Sequence, residues 1–184
     1  MPDLPPLLGD HPVLDLVGTV SERTTLALER LATPADLDTW LVRAGVLDGP
    51  AGADATDLER ARALREALND LLVAATTGRP LPRPALALVN TAAAGTSTAV
   101  QLTASGAVRR TGDVAAALTD LARAGVDLLG GPDLARVRWC ADDTCTHPFL
   151  DRSRAGRRRW CGMTGCGDRN KARAYRARRA AATG

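Results

Sequence analysis

A chain of 184 residues, 45% hydrophobic but only 3% aromatic, has room for one medium domain and a small appendage, with a core of Leu, Val and Ala rather than rings. It contains no run of about 18 apolar residues, and its Pro-rich, acidic start (Met1 to Asp10) lacks the apolar region and cleavage site of a signal peptide, so a membrane partner is not expected and the expected location is the cytoplasm. The net charge of +3 conceals a split: residues 136–184 hold 13 basic and 4 acidic side chains, whereas residues 1–135 hold 11 and 17, which points to an acidic domain followed by one built for an anionic partner.

In chain order, Val13 to Val17 is a short apolar stretch, either a strand or the first turn of a helix, and His11 before it reads as a loop residue. Leu26 to Leu31 reads as helical. Thr33-Pro34-Ala35-Asp36 is a helix start: Thr33 can cap, Pro34 suits the first helical position, and Asp36 sits three residues after the cap. Leu37, Trp40, Leu41 and Ala44 follow at helical spacing, and Gly45 supplies the stop. Asp57 to Thr77 is the longest expected helix, with Leu58, Ala61, Leu64, Leu68, Leu71, Leu72 and Ala75 recurring at three- and four-residue steps. Pro82 and Pro84 open another helix through Asn90. Between Ser97 and Arg110 the period drops to two, with Ser105-Gly106 in the middle, which predicts a β-hairpin. Asp113 to Leu129 returns to helix, and Gly130-Gly131-Pro132 reads as a linker. These readings predict an α+β chain: a mainly helical domain over residues 1–132 with one hairpin, then a small metal-binding module over 133–184 that ends in a basic helix.

Cys140, Cys145, Cys161 and Cys166 form two pairs of identical C-x4-C spacing, fifteen residues apart. In a reducing compartment such pairs point to one zinc ion rather than to disulfides. Four thiolates close a tetrahedral shell and leave no position for water or substrate, so the site is expected to be structural. His147 could replace one thiolate, but four cysteines already fill the shell. Trp139, Phe149 and Trp160 are expected to build a miniature core around the metal, with base stacking as the alternative use.

Asp168 to Ala182 reads as a helix with Asp168 as its cap. Arg169, Arg173 and Arg176 share one face, Lys171, Tyr175 and Arg178 form a second stripe, and Arg178 and Arg179 suit the negative end of the helix. With no broad apolar face, this is not a core helix. Its like charges repel unless an anion is present, and a duplex backbone supplies one. Arg152, Arg154, Arg157, Arg158 and Arg159, between the cysteine pairs, are candidates to clamp phosphates, with Arg158 or Arg169 expected to offset the charge of the zinc centre instead.

Trp160-Cys161, then Cys166-Gly167-Asp168-Arg169 and Lys171, resemble the CGNR zinc finger family, named for a Cys-Gly-Asn-Arg run at the last ligand; Asp168 stands where that run has Asn. The four cysteines, Phe149, Asp151 and Arg158 to Cys161 fit the same pattern, over about residues 136–180. Members commonly carry an N-terminal ABATE domain, whose opening motif Leu14 to Thr19 resembles, as does the Thr33 to Gly45 helix with Trp40. The family usually has Asn before that Thr, where this chain has Gly18. The resemblance implies a bacterial, stress-responsive transcription regulator with no known ligand.

Residues and resemblance together lead to the expectation of a DNA-binding regulator, nucleoid-associated when bound, whose acidic domain serves as a sensor for a small-molecule effector or as a homodimerisation unit. The alternatives are an RNA-binding or ribosome-associated zinc protein and a protein-interaction adaptor. No Ser-His-Asp set, phosphate loop or paired-acid motif is present, so an enzyme is not expected.

Overall fold

The computed structural model describes residues 4–182. The apolar stretch at the start is a helix, α1 (Pro12–Val17), with Pro12 at its first position and the extended His11 as its cap, Nδ1 accepting from the Val13 N–H at 3.3 Å. All five residues from Val13 to Val17 are buried, so α1 is a central plug rather than a surface element. The expected helix at 26–31 is not formed. β2 (Leu28–Glu29) instead pairs antiparallel with β1 (Val20–Ser21), and the connection turns through positive φ at Glu22 and Ala27. The reason is electrostatic as well as local: the extended backbone carries the Glu29 carboxylate to the Arg65 guanidinium at 2.6 Å.

The next helices start where their caps dictate. In α2 (Pro34–Arg43), Thr33 Oγ1 accepts from Asp36 N–H at 3.2 Å and Asp36 returns the bond to Thr33 N–H at 2.8 Å. α3 (Ala55–Thr76) begins two residues before the expected start, because Asp54 and Asp57 form a second reciprocal cap. α4 spans Arg83–Ala93. The hairpin pairs β3 (Ala99–Leu102) with β4 (Val108–Thr111), and Asp113 caps α5 (Val114–Gly130). Helices α3, α4 and α5 pack on one another, and α1 lies against α3 and α5. Trp40, Leu64, Leu68, Leu71, Leu72, Leu121 and the apolar side chains of α1 form the core. Among the described residues no helix is long and apolar enough to cross a membrane.

The glycine-proline segment read as a linker, exposed at Gly130 and Pro132, is a short corner between helix and strand. α5 passes through Gly131 into a 3-10 turn (Pro132–Arg136) and then β5 (Val137–Trp139), which pairs antiparallel with β6 (Pro148–Leu150). Val137 and Leu150 belong to the main core. Leu150 N–H donates to Gly9 O at 2.8 Å, and Trp139 Nε1 donates to Thr76 Oγ1 at 3.1 Å. The metal-binding module is therefore built onto the helical body by a shared core and shared hydrogen bonds.

One buried charge organises the joint between β2 and α3. Arg65 is 3% exposed; it bonds Glu29 through both terminal nitrogens, Glu66 through Nε at 2.7 Å and Thr19 Oγ1 at 3.1 Å. Burial alone would push the Glu29 and Glu66 carboxyls up, but the hydrogen bonds and charges of Arg65, with Arg62 and Arg23, hold both below their ordinary value. Both acids thus add stability above the ordinary glutamate range and lose it as pH falls below that range. Arg65→Met should cost about 2–3 kcal/mol, less than a fully buried pair would, because the Glu66 side chain remains 45% exposed. Urea unfolding with an unchanged m-value checks it; an unshifted midpoint would show that the network is dispensable.

Candidate metal centre and basic helix

Each cysteine is delivered by a short, defined piece of backbone. Cys140 follows β5, its N–H donating to His147 O at 3.1 Å. Cys145 closes a turn on Asp142 O at 3.0 Å. Ala141 N–H reaches Arg159 O at 2.8 Å and Cys161 N–H reaches Cys140 Sγ at 3.4 Å, which ties the second pair to the first. Cys166 sits in a wide turn (Met163–Gly167) that needs φ +103 at Gly165, a conformation glycine adopts without strain.

The four Sγ atoms lie within 4.8 Å of one another, with Cys145–Cys161 and Cys161–Cys166 at 3.7 Å. A tetrahedron with zinc–sulfur bonds of about 2.3 Å has edges of about 3.8 Å, so these sulfurs already stand at zinc spacing. A disulfide would need about 2.05 Å. Without a cation the thiols conflict. Hydrogen bonding from Cys145 and Cys161 draws Cys140 far down, the same contacts drive Cys145 and Cys161 up, and burial with the neighbouring sulfur charges pushes Cys166 up to about 12. A central divalent cation removes the conflict by letting all four ionise. The donor set fits one structural zinc with a closed shell.

His147 is not part of this cluster. Its ring lies over Gly18, Nε2 stands 3.9 Å from Asp15 Oδ1, and among the described side chains this nitrogen is buried without a hydrogen-bond partner. Burial pushes His147 down to about 4 and Asp15 up to about 6, the latter restrained by the Gly9 N–H at 2.8 Å. A Cβ at position 18 would run into the imidazole. The ring thus leaves room at position 18 for glycine and nothing larger.

Two of the three expected rings surround the cysteines. Phe149 is fully buried with Cys140, Cys161 and Cys166, and Trp160 packs at its edge. Trp139 instead turns to the helical body. Arg158 lies over the Phe149 ring at 4.5 Å, donates to Trp160 O at 2.9 Å and to Cys161 O, and pairs with Asp10 at 2.6 Å. Arg169 donates to Cys166 Sγ at 3.2 Å and faces Asp142 at 3.4 Å. Arg158 and Arg169, the two arginines singled out to offset the charge of the zinc centre, thus both stand beside it.

Asp142 and Asn170 escaped the sequence reading, and Asp151 entered it only through the family resemblance. Asp142 accepts from Thr144 Oγ1 at 2.9 Å and from Asn170 Nδ2 at 2.7 Å, which locks the last helix to the first cysteine turn. Asp151 accepts from Ser153 N–H and Arg158 N–H, both at 2.9 Å, and shapes the loop between the pairs. The signal was present as Asp-x-Thr and Asp-x-Ser spacing, which favours side-chain turns.

α6 (Asp168–Ala182) continues directly from the Cys166 turn. Asp168 has helical dihedrals and donates its N–H back to Met163 O and Gly165 O, so it is the first helical residue rather than the cap. Residues 171–179 are all exposed. Arg173 meets Asp143 at 3.3 Å, Lys171 meets Asp168 at 3.8 Å, and Arg179 lies over the Tyr175 ring at 5.9 Å. Arg176 and Arg178 are exposed on the same projecting helix, and Arg152, Arg154 and Arg157 are exposed on the inter-pair loop. Arg159 stacks on Trp160 at 4.7 Å, and a groove of 450 Å3 lined by Arg157, Arg159, Trp160 and Met163 separates that loop from the turn that opens α6.

Residues 10–132 match the ABATE family, described as "Putative stress-induced transcription regulator", and residues 136–179 match the CGNR zinc finger. No curated protein matches the chain.

Cys161→Ser should release the zinc and melt β5, β6 and α6. Because Val137 and Leu150 sit in the shared core, it should also lower the melting temperature of the helical body. Metal analysis with circular dichroism reads both, and full metal content would refute the ligand set. Gly18→Ala should cost about 1–3 kcal/mol through overpacking on the imidazole. Adding His147→Ala should relieve most of that cost in a double-mutant cycle, whereas additive losses would mean the ring does not define the space.

Proposed function

We propose that this chain, which belongs to the ABATE family and carries a C-terminal CGNR zinc finger, is a non-catalytic transcription regulator that binds duplex DNA through α6. The reading rests on one observation: α6 leaves the zinc module exposed at every residue from 171 to 179, cationic on most sides, with Arg169, Asn170 and Arg173 tying its first turns to the module. A helix about 10–12 Å across suits a major groove about 12 Å wide. Closely spaced arginines destabilise an isolated helix, so an anionic partner stabilises it where it stands. Zinc tetrathiolate carries two negative charges, which leaves residues 136–184 at about +7.

Lys171, Arg176 and Arg178, with Arg173 and Arg179, form the helical contact surface. Arg152, Arg154, Arg157 and Arg159 form a second cationic ridge on the loop, placed for the flanking phosphates. Closed coordination assigns zinc a scaffolding role: it fixes the angle at which α6 leaves the body. Arg158 and Arg169 act through the scaffold.

Zinc-loaded protein should bind a duplex of its own upstream region more tightly than a scrambled one. The slope of log affinity against log salt should be about −5, near −0.9 for each of about five or six neutralised phosphates. Truncation after Asn170, which keeps the braces of the metal turn, should abolish binding while zinc is retained. Lys171→Ala with Arg178→Ala should flatten the slope by about one for each phosphate that is no longer neutralised. Absence of binding at low salt would overturn the proposal, and tighter binding to RNA would transfer the surface to that partner.

A further inference from the structure

A closed zinc shell bars small molecules from the metal, but not from the sulfurs, which keep lone pairs and thiolate character while they ligate. The four sulfurs differ in access. Cys140, Cys161 and Cys166 are 8%, 2% and 7% exposed, whereas Cys145 is partly open to solvent. A cavity of 260 Å3 lies against Cys145 and Cys166, and Glu22, Arg30, Thr146 and Arg169 also line it. It has room for several molecules of water size, about 30 Å3 each.

Of the two cysteines on this cavity, Cys145 is the one set up to react. Cys166 is buried, and its sulfur accepts a charge-assisted bond from Arg169 at 3.2 Å, which draws electron density away from it. A second thiol stands directly behind Cys145: Cys161 Sγ lies 3.7 Å from Cys145 Sγ. A disulfide needs about 2.05 Å, so a displacement of about 1.7 Å joins the pair. Reactive thiolates are those that combine ionisation with access, and oxidation becomes reversible when a second thiol is close enough to resolve it.

We propose that Cys145 is an oxidation site for small hydroperoxides, with Cys161 as its resolving thiol. The Cys145 thiolate attacks one oxygen of hydrogen peroxide. An S–O bond forms, the O–O bond breaks, and the departing hydroxide takes a proton from solvent to become water. The Cys161 thiolate then attacks the Cys145 sulfur. The S–S bond forms, the S–O bond breaks, and the second oxygen leaves as hydroxide, again protonated to water. Together the two sulfurs lose two electrons, and the peroxide gains them. Only Cys140 and Cys166 remain as thiolates, too few to retain zinc. Asp142 closes the Cys145 turn at 3.0 Å and holds Asn170 at 2.7 Å, so loss of the metal loosens the base of α6. The inference does not depend on what α6 binds.

Hydrogen peroxide added to the full-length, zinc-loaded protein tests it. One zinc per chain should be released, read with a chromogenic chelator, and dithiothreitol with added zinc should restore the loaded form. Peptide mapping without reductant should place the new disulfide between Cys145 and Cys161. Sub-stoichiometric iodoacetamide should alkylate Cys145 ahead of the other three cysteines. Cys145→His keeps a zinc-ligating side chain without the attacking thiolate, and it should hold its zinc in peroxide. The maps of the parent protein decide the matter whether or not that variant folds. Zinc retained by the parent at peroxide levels that oxidise free cysteine overturns the proposal. So does a disulfide between any other pair, or alkylation of Cys145 no faster than of Cys161.

Discussion

Four sulfurs held at zinc spacing are the constraint on which the C-terminal third of this protein depends. A segment of some fifty residues cannot bury enough apolar surface to fold by itself. Here the metal gathers two turns and an inter-pair loop around a single buried phenylalanine, Phe149. The negative charge of the tetrathiolate is answered locally by Arg169 on Cys166 Sγ and by the backbone N–H of Cys161 on Cys140 Sγ. Arg158 spans the carbonyls of Trp160 and Leu8 and the Phe149 ring, which makes it the clasp between the metal and the N-terminal segment.

The same centre is continuous with the helical body. β5 and β6 place Val137 and Leu150 in the main core, Trp139 bonds Thr76 on α3, and His147 rests on Gly18 at the end of α1. Metal loading and the integrity of the helical core are thus coupled through packing rather than through a flexible hinge. Movement at the base of the zinc module would have to disturb α1, buried from Val13 to Val17.

Charge is used in two distinct ways. Some arginines work inward: Arg65 joins β2 to α3, Arg158 and Arg169 brace the metal, and each has its acids or carbonyls beside it. Others work outward, on α6 and on the inter-pair loop, where few acids accompany them. In a chain with a single lysine, residue type alone does not separate these roles. Arg158 and Arg159 are adjacent in sequence, yet one is a clasp and the other a surface cation stacked on Trp160.

The sequence by itself determined whatever depends on local spacing. The paired cysteines specify a tetrahedral thiolate shell, Thr33-Pro34-Ala35-Asp36 specifies a capped helix, the alternation around Ser105-Gly106 specifies the hairpin, and the apolar period from Leu58 onward specifies α3. Tertiary packing decided what local spacing cannot encode. Leu26 to Leu31 carries no helix because Glu29 must reach Arg65, thirty-six positions away. Gly130-Gly131-Pro132 looks like a linker, but Val137 and Leu150 draw the following strands into the core. Asp142 and Asn170 matter only because folding brings residues twenty-eight apart within 2.7 Å. Long-range partners leave no period in the chain, so which arginine is a brace and which an outward-facing cation is settled only when the acids, carbonyls and sulfurs come into place around them.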